Sequence, residues 1–282
     1  MWFARGPWSR WSTSWEEAEM TEEDRLHLGP ATLASRLIHG TGKFPSAQVL
    51  AQSIAVSGAE MITLAVRRLH LDGDRRSELE GLDLARYHLL PNTAGARSAE
   101  EAIRLAHLAR AAGLSDFIKV EVVGHEASLL PDPLATFEAT SRLVAEGYTV
   151  LPYTSDDVAL ALRLAEAGAA AVMPGAAPIG STLGVLNPHN IRLIIEECPV
   201  PVIVDAGLGA PSDALRVMEW GAAGVLVNTG IARARNPVEM ARAFAAAVEA
   251  GRRAHWAGLA GEAGDGRRGF GASSPAAGLP VG

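Results

Sequence analysis

The sequence predicts an α/β protein built as one (β/α)8 (TIM) barrel. Three observations predict it. Eight short branched-apolar runs recur along the 282 residues, with starts 22–32 residues apart. Helical patterns with capping signals lie between them. No glycine-rich dinucleotide turn follows the first run, as an open doubly wound sheet would normally show. Strand–helix units of this length give parallel sheets, because a parallel crossover needs a helix to bring the chain back. Eight such units favour a closed barrel, which takes about 250 residues.

The runs start near Ser35 (SRLIHGTG), Met61 (MITLAV), Tyr87 (YHLLPNT), Phe117 (FIKVEVVG), Thr149 (TVLPYT), Ala171 (AVMPG), Pro201 (PVIVDAG) and Gly224 (GVLVNTG). The first turn, His39-Gly-Thr-Gly-Lys43, superficially resembles a phosphate-binding P-loop. It fails that pattern, because position 37 is Leu and Phe44 replaces the Ser or Thr that holds magnesium. Ser98-Ala-Glu-Glu101 reads as a capping box in which the glutamate reaches back, and Gly113 as the matching helix stop. Asn236-Pro237 opens the last helix as an N-cap followed by proline. Ser155-Asp156-Asp157 and Pro211-Ser212-Asp213 open two more; the paired aspartates read as a helix cap rather than a metal site, since no further ligand lies nearby in sequence.

The ends differ from this rhythm. Residues 1–28 carry four tryptophans without period or strand and are expected to be a disordered extension, with Met20 a candidate alternative start. The barrel is expected over 29–253, and a flexible Gly-, Ala- and Pro-rich tail over 254–282.

Composition narrows the partners. Apolar residues make up 48% of the chain, enough for a large core. A net charge of −7 argues against a nucleic-acid or anionic-membrane footprint. The single cysteine, Cys198, excludes an intramolecular disulfide and a cysteine metal cluster, and its context reads as a packed thiol. No run of 18 apolar residues suggests a membrane span, and no signal-peptide pattern opens the chain, so the cytoplasm is the expected compartment. The eight histidines are scattered without ligand spacing, so no metal is expected.

In this fold the chemistry sits at the C-terminal strand ends. On the fourth run, alternation puts Phe117, Lys119 and Glu121 on one face and Ile118, Val120 and Val122 on the other. The apolar face suits the helices, so Lys119 and Glu121 point inward. One reading is a buried ion pair within a polar barrel layer. The other is that desolvation lowers the lysine pKa, its neutral amine attacks a ketone or aldehyde, and Glu121 shuttles protons. Asp205, at the end of the seventh run, is a second acid/base candidate or a turn residue. Gly207 and Gly209 after it, Asn228 and Thr229 after the eighth run, and Gly175–Ser181 after the sixth resemble a phosphate cup. Arg67 and Arg68 are candidates for neutralising a phosphate or carboxylate, or form a solvated patch. Asn92 and Thr93 are candidates for a sugar hydroxyl, or are a polar turn.

The ordered motifs HGTGKF, SGAEMITLAVRR, LLPNTAG, FIKVEVVG, LVAEGYTVLPYTSDD, AGAAAVMP, APIGS, VPVIVDAGLG, VLVNTGIA and GASSPAAG resemble the thiazole synthases of bacterial thiamine biosynthesis over about residues 33–275. The resemblance implies a TIM barrel acting on 1-deoxy-D-xylulose 5-phosphate. It implies that Lys119 forms an imine with the ketone, with Glu121 and Asp205 as acid/base groups. Gly180, Ala206, Gly207, Asn228 and Thr229 would bind the sugar phosphate. Sulfur would come from a carrier protein bearing a C-terminal thiocarboxylate, and dehydroglycine would complete the ring. It implies no cofactor, and a homotetramer. Thr182 and Val185 stand where the family usually has a glycine and a polar or basic residue, and Ala96 replaces a usual cysteine. Two other readings stay open on the residues alone: a different lysine-imine barrel that cleaves a carbon–carbon bond, and a non-catalytic sugar-phosphate sensor whose binding survives loss of Lys119.

Overall fold

The computed structural model describes residues 24–68, 79 and 81–259. The Trp-rich segment, Met20, the GASSPAAG segment and the Arg68 side chain lie outside the described residues. Every apolar run yields a strand: β1 (Leu37–Gly40), β2 (Met61–Ala65), β3 (His88–Asn92), β4 (Phe117–Val120), β5 (Thr149–Thr154), β6 (Met173–Pro174), β7 (Ile203–Val204) and β8 (Gly224–Val227). All are parallel, in the order β6-β5-β4-β3-β2-β1-β8-β7. Bridges Val172↔Val202 and Gly175↔Asp205 join β6 to β7 and close the barrel.

The helices are α1 (Ala47–Ser57), α2 (Ala99–Ala111), α3 (Pro133–Ala145), α4 (Val158–Glu166), α5 (Pro188–Glu197), α6 (Pro211–Glu219), α7 (Thr229–Ala232) and α8 (Pro237–Ala257). Side-chain caps start most of them: Ser46, Ser98, Asp132, Asp157, Asn187 and Asn236 each accept a first-turn amide. The box at α2 is only half formed. Ser98 Oγ accepts from the Glu101 amide, but the Glu101 carboxylate accepts from the Arg97 amide at 2.9 Å, one residue before the cap. Between β2 and β3, where a helix was expected, the described residues hold two 3-10 turns, Val66–Arg68 and Leu84–Arg86. No helix among the described residues is long and apolar enough to cross a membrane.

Two apolar shells follow from strand alternation. Outward residues such as Ile118, Val120 and Val122 pack on Ala102, Ile103 and Ala106 of α2 and on Ala139 and Leu143 of α3. Inward residues Ile38, Met61, Leu90, Phe117, Leu151, Met173, Ile203 and Leu226 fill the lower barrel. Leu26, Leu28, Ala31 and Leu33 join that inner cluster from an antiparallel hairpin, Leu26–Leu28 with Ala31–Leu33. This corrects the expected boundary at residue 28. The hairpin alternates buried leucines with exposed His27 and Thr32, so it plugs the barrel floor. The boundary at 254 moves too. His255 Nδ1 lies 3.1 Å from the Glu219 carbonyl, and Trp256 Nε1 donates to Asp24 at 3.1 Å, which holds the end of α8 against the start of the barrel. Arg36 and Arg252 pair with the same Asp24 carboxylate.

His39, fully buried on β1, stacks on Phe44 at 5.6 Å. Its Nδ1 lies 2.7 Å from the Gly40 carbonyl, which only accepts, so Nδ1 carries the proton. Burial pushes its pKa down to about 4, against an ordinary 6.5. Between those values the unfolded chain binds a proton that the folded protein refuses, so stability rises with pH across this window. Urea unfolding should show a loss of about 3 kcal/mol attributable to His39 between pH 6.5 and 4. His39→Gln should flatten that slope; an unchanged slope would assign the acid sensitivity elsewhere.

Candidate active site

Strand β4 delivers Lys119 into the upper barrel, because the pleat that buries Phe117 below must turn Lys119 the same way. Lys119 is 4% exposed, Glu121 8% and Asp205 3%. Lys119 Nζ lies 2.6 Å from Glu121 Oε1 and 2.6 Å from Asp205 Oδ2. The inward-facing Tyr153 of β5 places its ring 5.3 Å from the same ammonium. Thr93 fixes Glu121, its hydroxyl bonding both the Glu121 amide and the Glu121 carbonyl at 2.8 Å. Asp205 is fixed by its own loop, Oδ1 accepting the Ala206 amide at 2.6 Å.

This arrangement corrects the expectation of a depressed lysine pKa. Burial does pull the Lys119 ammonium down, but the charges of Asp205 and Glu121 outweigh it, helped by their hydrogen bonds. The pKa therefore stands above the ordinary lysine value. The resting group is an ammonium clamped by two carboxylates, and a free amine forms only when one of them takes the proton. Burial and the Asp205 charge likewise raise the Tyr153 phenol, so it stays protonated at neutral pH.

Above the triad lies a cavity of about 250 Å³. Gly180, Ala206, Gly207, Asn228 and Thr229 line it together with Lys119, Glu121 and Asp205, so the structure brings all eight expected residues to one pocket. Gly207 must be glycine: its φ is +73°, and a Cβ would fall 2.7 Å from the Ala177 amide nitrogen. The buried Asn228 Oδ1 has no hydrogen-bond partner among the described residues. Other candidates divide. Asn92 lines the cavity, but its amide already bonds Thr63 Oγ1 at 3.0 Å and the Ala94 amide at 3.2 Å. Thr93, fully buried, faces Glu121 instead of ligand. Arg67 pairs with Glu101 at 3.1 Å on an exposed surface. Asp157 caps α4 and Asp156 accepts from Asn187, as structural residues do. Cys198 is a half-buried thiol at the end of α5, its pKa raised by burial. Sequence reasoning missed Tyr153, although alternation with Leu151 in TVLPYT was a signal for it.

Comparison with known proteins agrees with this geometry. The family model described as "Thiazole biosynthesis protein ThiG" matches residues 27–275. The chain belongs to this family. Curated thiazole synthases stand close to it: that of Geobacillus sp. (strain WCH70) is 55% identical over 257 residues, covering 91% of this chain and 99% of the relative. That of Bacillus subtilis (strain 168) is 54% identical over the same coverage. Among solved structures, the crystal structure of the Amycolatopsis orientalis BexX/CysO complex superposes with a TM-score of 0.75 at 32% identity, covering 83% of this chain and 96% of that one. The activity is thus that of a thiazole synthase in thiamine biosynthesis.

Two departures from the family pattern have visible consequences. Ala96 is fully buried against α2, where its small side chain packs without a polar partner. Thr182 sits with φ +55°, in the left-handed region that favours the glycine expected there. Relief of that strain, less the entropy a glycine adds to the unfolded chain, should make Thr182→Gly more stable by roughly 0.5–1 kcal/mol. A denaturant midpoint that stays put or falls would show that the Thr182 hydroxyl, 2.7 Å from the Ser181 carbonyl, matters more than the strain.

Proposed function

We propose that this thiazole synthase condenses 1-deoxy-D-xylulose 5-phosphate, dehydroglycine and carrier-borne sulfur into a thiazole phosphate carboxylate, through an imine on Lys119. One observation carries the reading: a lysine buried between two carboxylates at the base of a pocket rimmed by small-residue loops. Neither a bare ion pair nor a plain anion receptor needs two acids around one cation.

The chemistry follows from that clamp. The Lys119 ammonium passes a proton to Asp205 or Glu121, and the freed amine adds to the C2 ketone. The same acid returns its proton to the carbinolamine hydroxyl, which leaves as water and yields the iminium. The carboxylate, again basic, removes the proton from C3, and reprotonation at C2 moves the carbonyl to C3. The C-terminal thiocarboxylate of a partner protein then exchanges its sulfur for the C3 carbonyl oxygen and leaves as a carboxylate, and the Lys119 amine is expelled from C2 when the dehydroglycine nitrogen takes its place in ring closure. The structural relative was solved as a two-protein complex, which supports a protein partner here. Gly180, Ala206, Gly207, Asn228 and Thr229 hold the sugar phosphate in this scheme. By family resemblance the enzyme works as a cytoplasmic homotetramer without a cofactor.

Borohydride trapping with 1-deoxy-D-xylulose 5-phosphate, read by intact mass and peptide mapping, tests the scheme. A reduced adduct on Lys119, absent from Lys119→Ala, is the expected result. Binding without an adduct would favour a sensor, and no binding would remove the substrate assignment.

A further inference from the structure

The cavity wall poses an electrostatic problem. Among its described lining residues the charged ones are Lys43, Lys119, Glu121 and Asp205. Lys119 sits between two carboxylates, so that cluster is net negative and repels an incoming phosphate dianion. Backbone amides of the rim loops supply only partial charges. The positive charge left in the wall is Lys43.

Lys43 belongs to the Gly40–Lys43 turn between β1 and α1, which fails as a P-loop by sequence. Its backbone takes φ +71°, a left-handed conformation that costs a lysine energy and turns its side chain toward the cavity. Lys43 Nζ lies 3.7 Å from the point where a Cβ on Gly180 would stand, and Thr229 Oγ1 lies 3.9 Å from the same point. The ammonium therefore hangs beside the Gly180 and Thr229 rim of the cavity that Lys119 also lines. Among the described residues it has no carboxylate partner, whereas Arg67, outside the cavity lining, is taken by Glu101.

We propose that Lys43 is the phosphate anchor of this pocket: its ammonium binds the phosphate of the sugar phosphate at the Gly180–Thr229 rim and offsets the negative triad. This rests on the sugar-phosphate reading above. A cation at that rim selects phosphorylated over unphosphorylated sugar and orients the ketone toward Lys119, with binding weakened by salt.

Equilibrium binding tests it, using 1-deoxy-D-xylulose 5-phosphate, unphosphorylated 1-deoxy-D-xylulose and inorganic phosphate as competitor, on the full chain, Lys43→Gln and Lys43→Arg. Lys43→Gln should weaken the sugar phosphate roughly tenfold and lower its salt dependence. It should leave the unphosphorylated sugar unchanged and weaken competition by phosphate, and Lys43→Arg should restore most of the affinity. Unchanged sugar-phosphate affinity in Lys43→Gln, with Lys119 still trapped by borohydride, overturns the anchor and leaves the thiazole synthase scheme standing. Equal weakening of both sugars overturns it in favour of a loop-shaping role. If the unsubstituted protein neither binds nor traps the sugar phosphate, the substrate reading fails first and the anchor with it.

Discussion

Lys119→Ala is expected to lower turnover by roughly 10⁴-fold and to abolish imine trapping, because among the described lining residues the other amine, Lys43, pairs with neither carboxylate. The same substitution should change the fold's response to pH. In the intact protein the Lys119 pKa is raised, so its stabilising charge is fully present below the ordinary value of 10.5 and is lost only as pH climbs through the folded value. Removing the ammonium leaves the Glu121 and Asp205 carboxylates buried without their shared cation. Breaking such a buried pair costs roughly 3–5 kcal/mol at neutral pH. The two carboxylates then hold a proton more tightly folded than unfolded, so Lys119→Ala regains stability as pH falls. The gap between the urea midpoints of Lys119→Ala and the parent protein should therefore be smaller at pH 5 than at pH 8, the His39 contribution being common to both. A variant that still traps substrate would move the imine to another residue, and a midpoint unaltered at pH 8 would mean that the clamp contributes nothing to the fold.

Asp205→Asn and Glu121→Gln are expected to lower turnover by roughly 10²–10⁴-fold each, the usual contribution of a positioned acid/base group, with little effect on substrate affinity. Their second effect runs the other way. Each substitution removes one of the charges that hold the Lys119 ammonium up, Asp205 being the larger, and leaves burial less opposed. The pH at which imine formation sets in should therefore fall, further for Asp205→Asn than for Glu121→Gln. Their combination leaves burial alone, which places the lysine below its ordinary value. Turnover and nucleophile readiness thus separate, since each variant holds a better amine and one proton carrier fewer. The trapping yield against pH, beside steady-state turnover, checks both halves. An onset that does not move in Asp205→Asn would mean that the carboxylate does not set the lysine's charge, whatever happens to turnover.

Much of this was readable from the chain. The eight apolar runs became the eight barrel strands, because branched apolar residues between caps and turns have few other places to go. Alternation along FIKVEVV was enough to turn Lys119 and Glu121 inward, and the family motifs pointed to all eight pocket residues. Period-two and capping signals are local, so a single strand or helix start carries them whole. Other features depend on residues far apart in sequence. Asp205 lies 86 positions after Lys119, and only closure of the barrel sets its carboxylate 2.6 Å from the lysine nitrogen. Together the two carboxylates reverse the sign of the pKa shift that burial alone would give, an outcome no one strand encodes. Likewise, His27 and Thr32 gave the N-terminal hairpin a polar outline, while its leucines have meaning only beneath the barrel floor. Lys43 looked like part of a failed P-loop until the fold carried it to the Gly180 rim. Local pattern was enough for the strands, their inward faces and the family; the charge of the lysine and the electrical balance of its pocket came only with barrel closure, because Coulomb interactions depend on distances that the closed barrel sets.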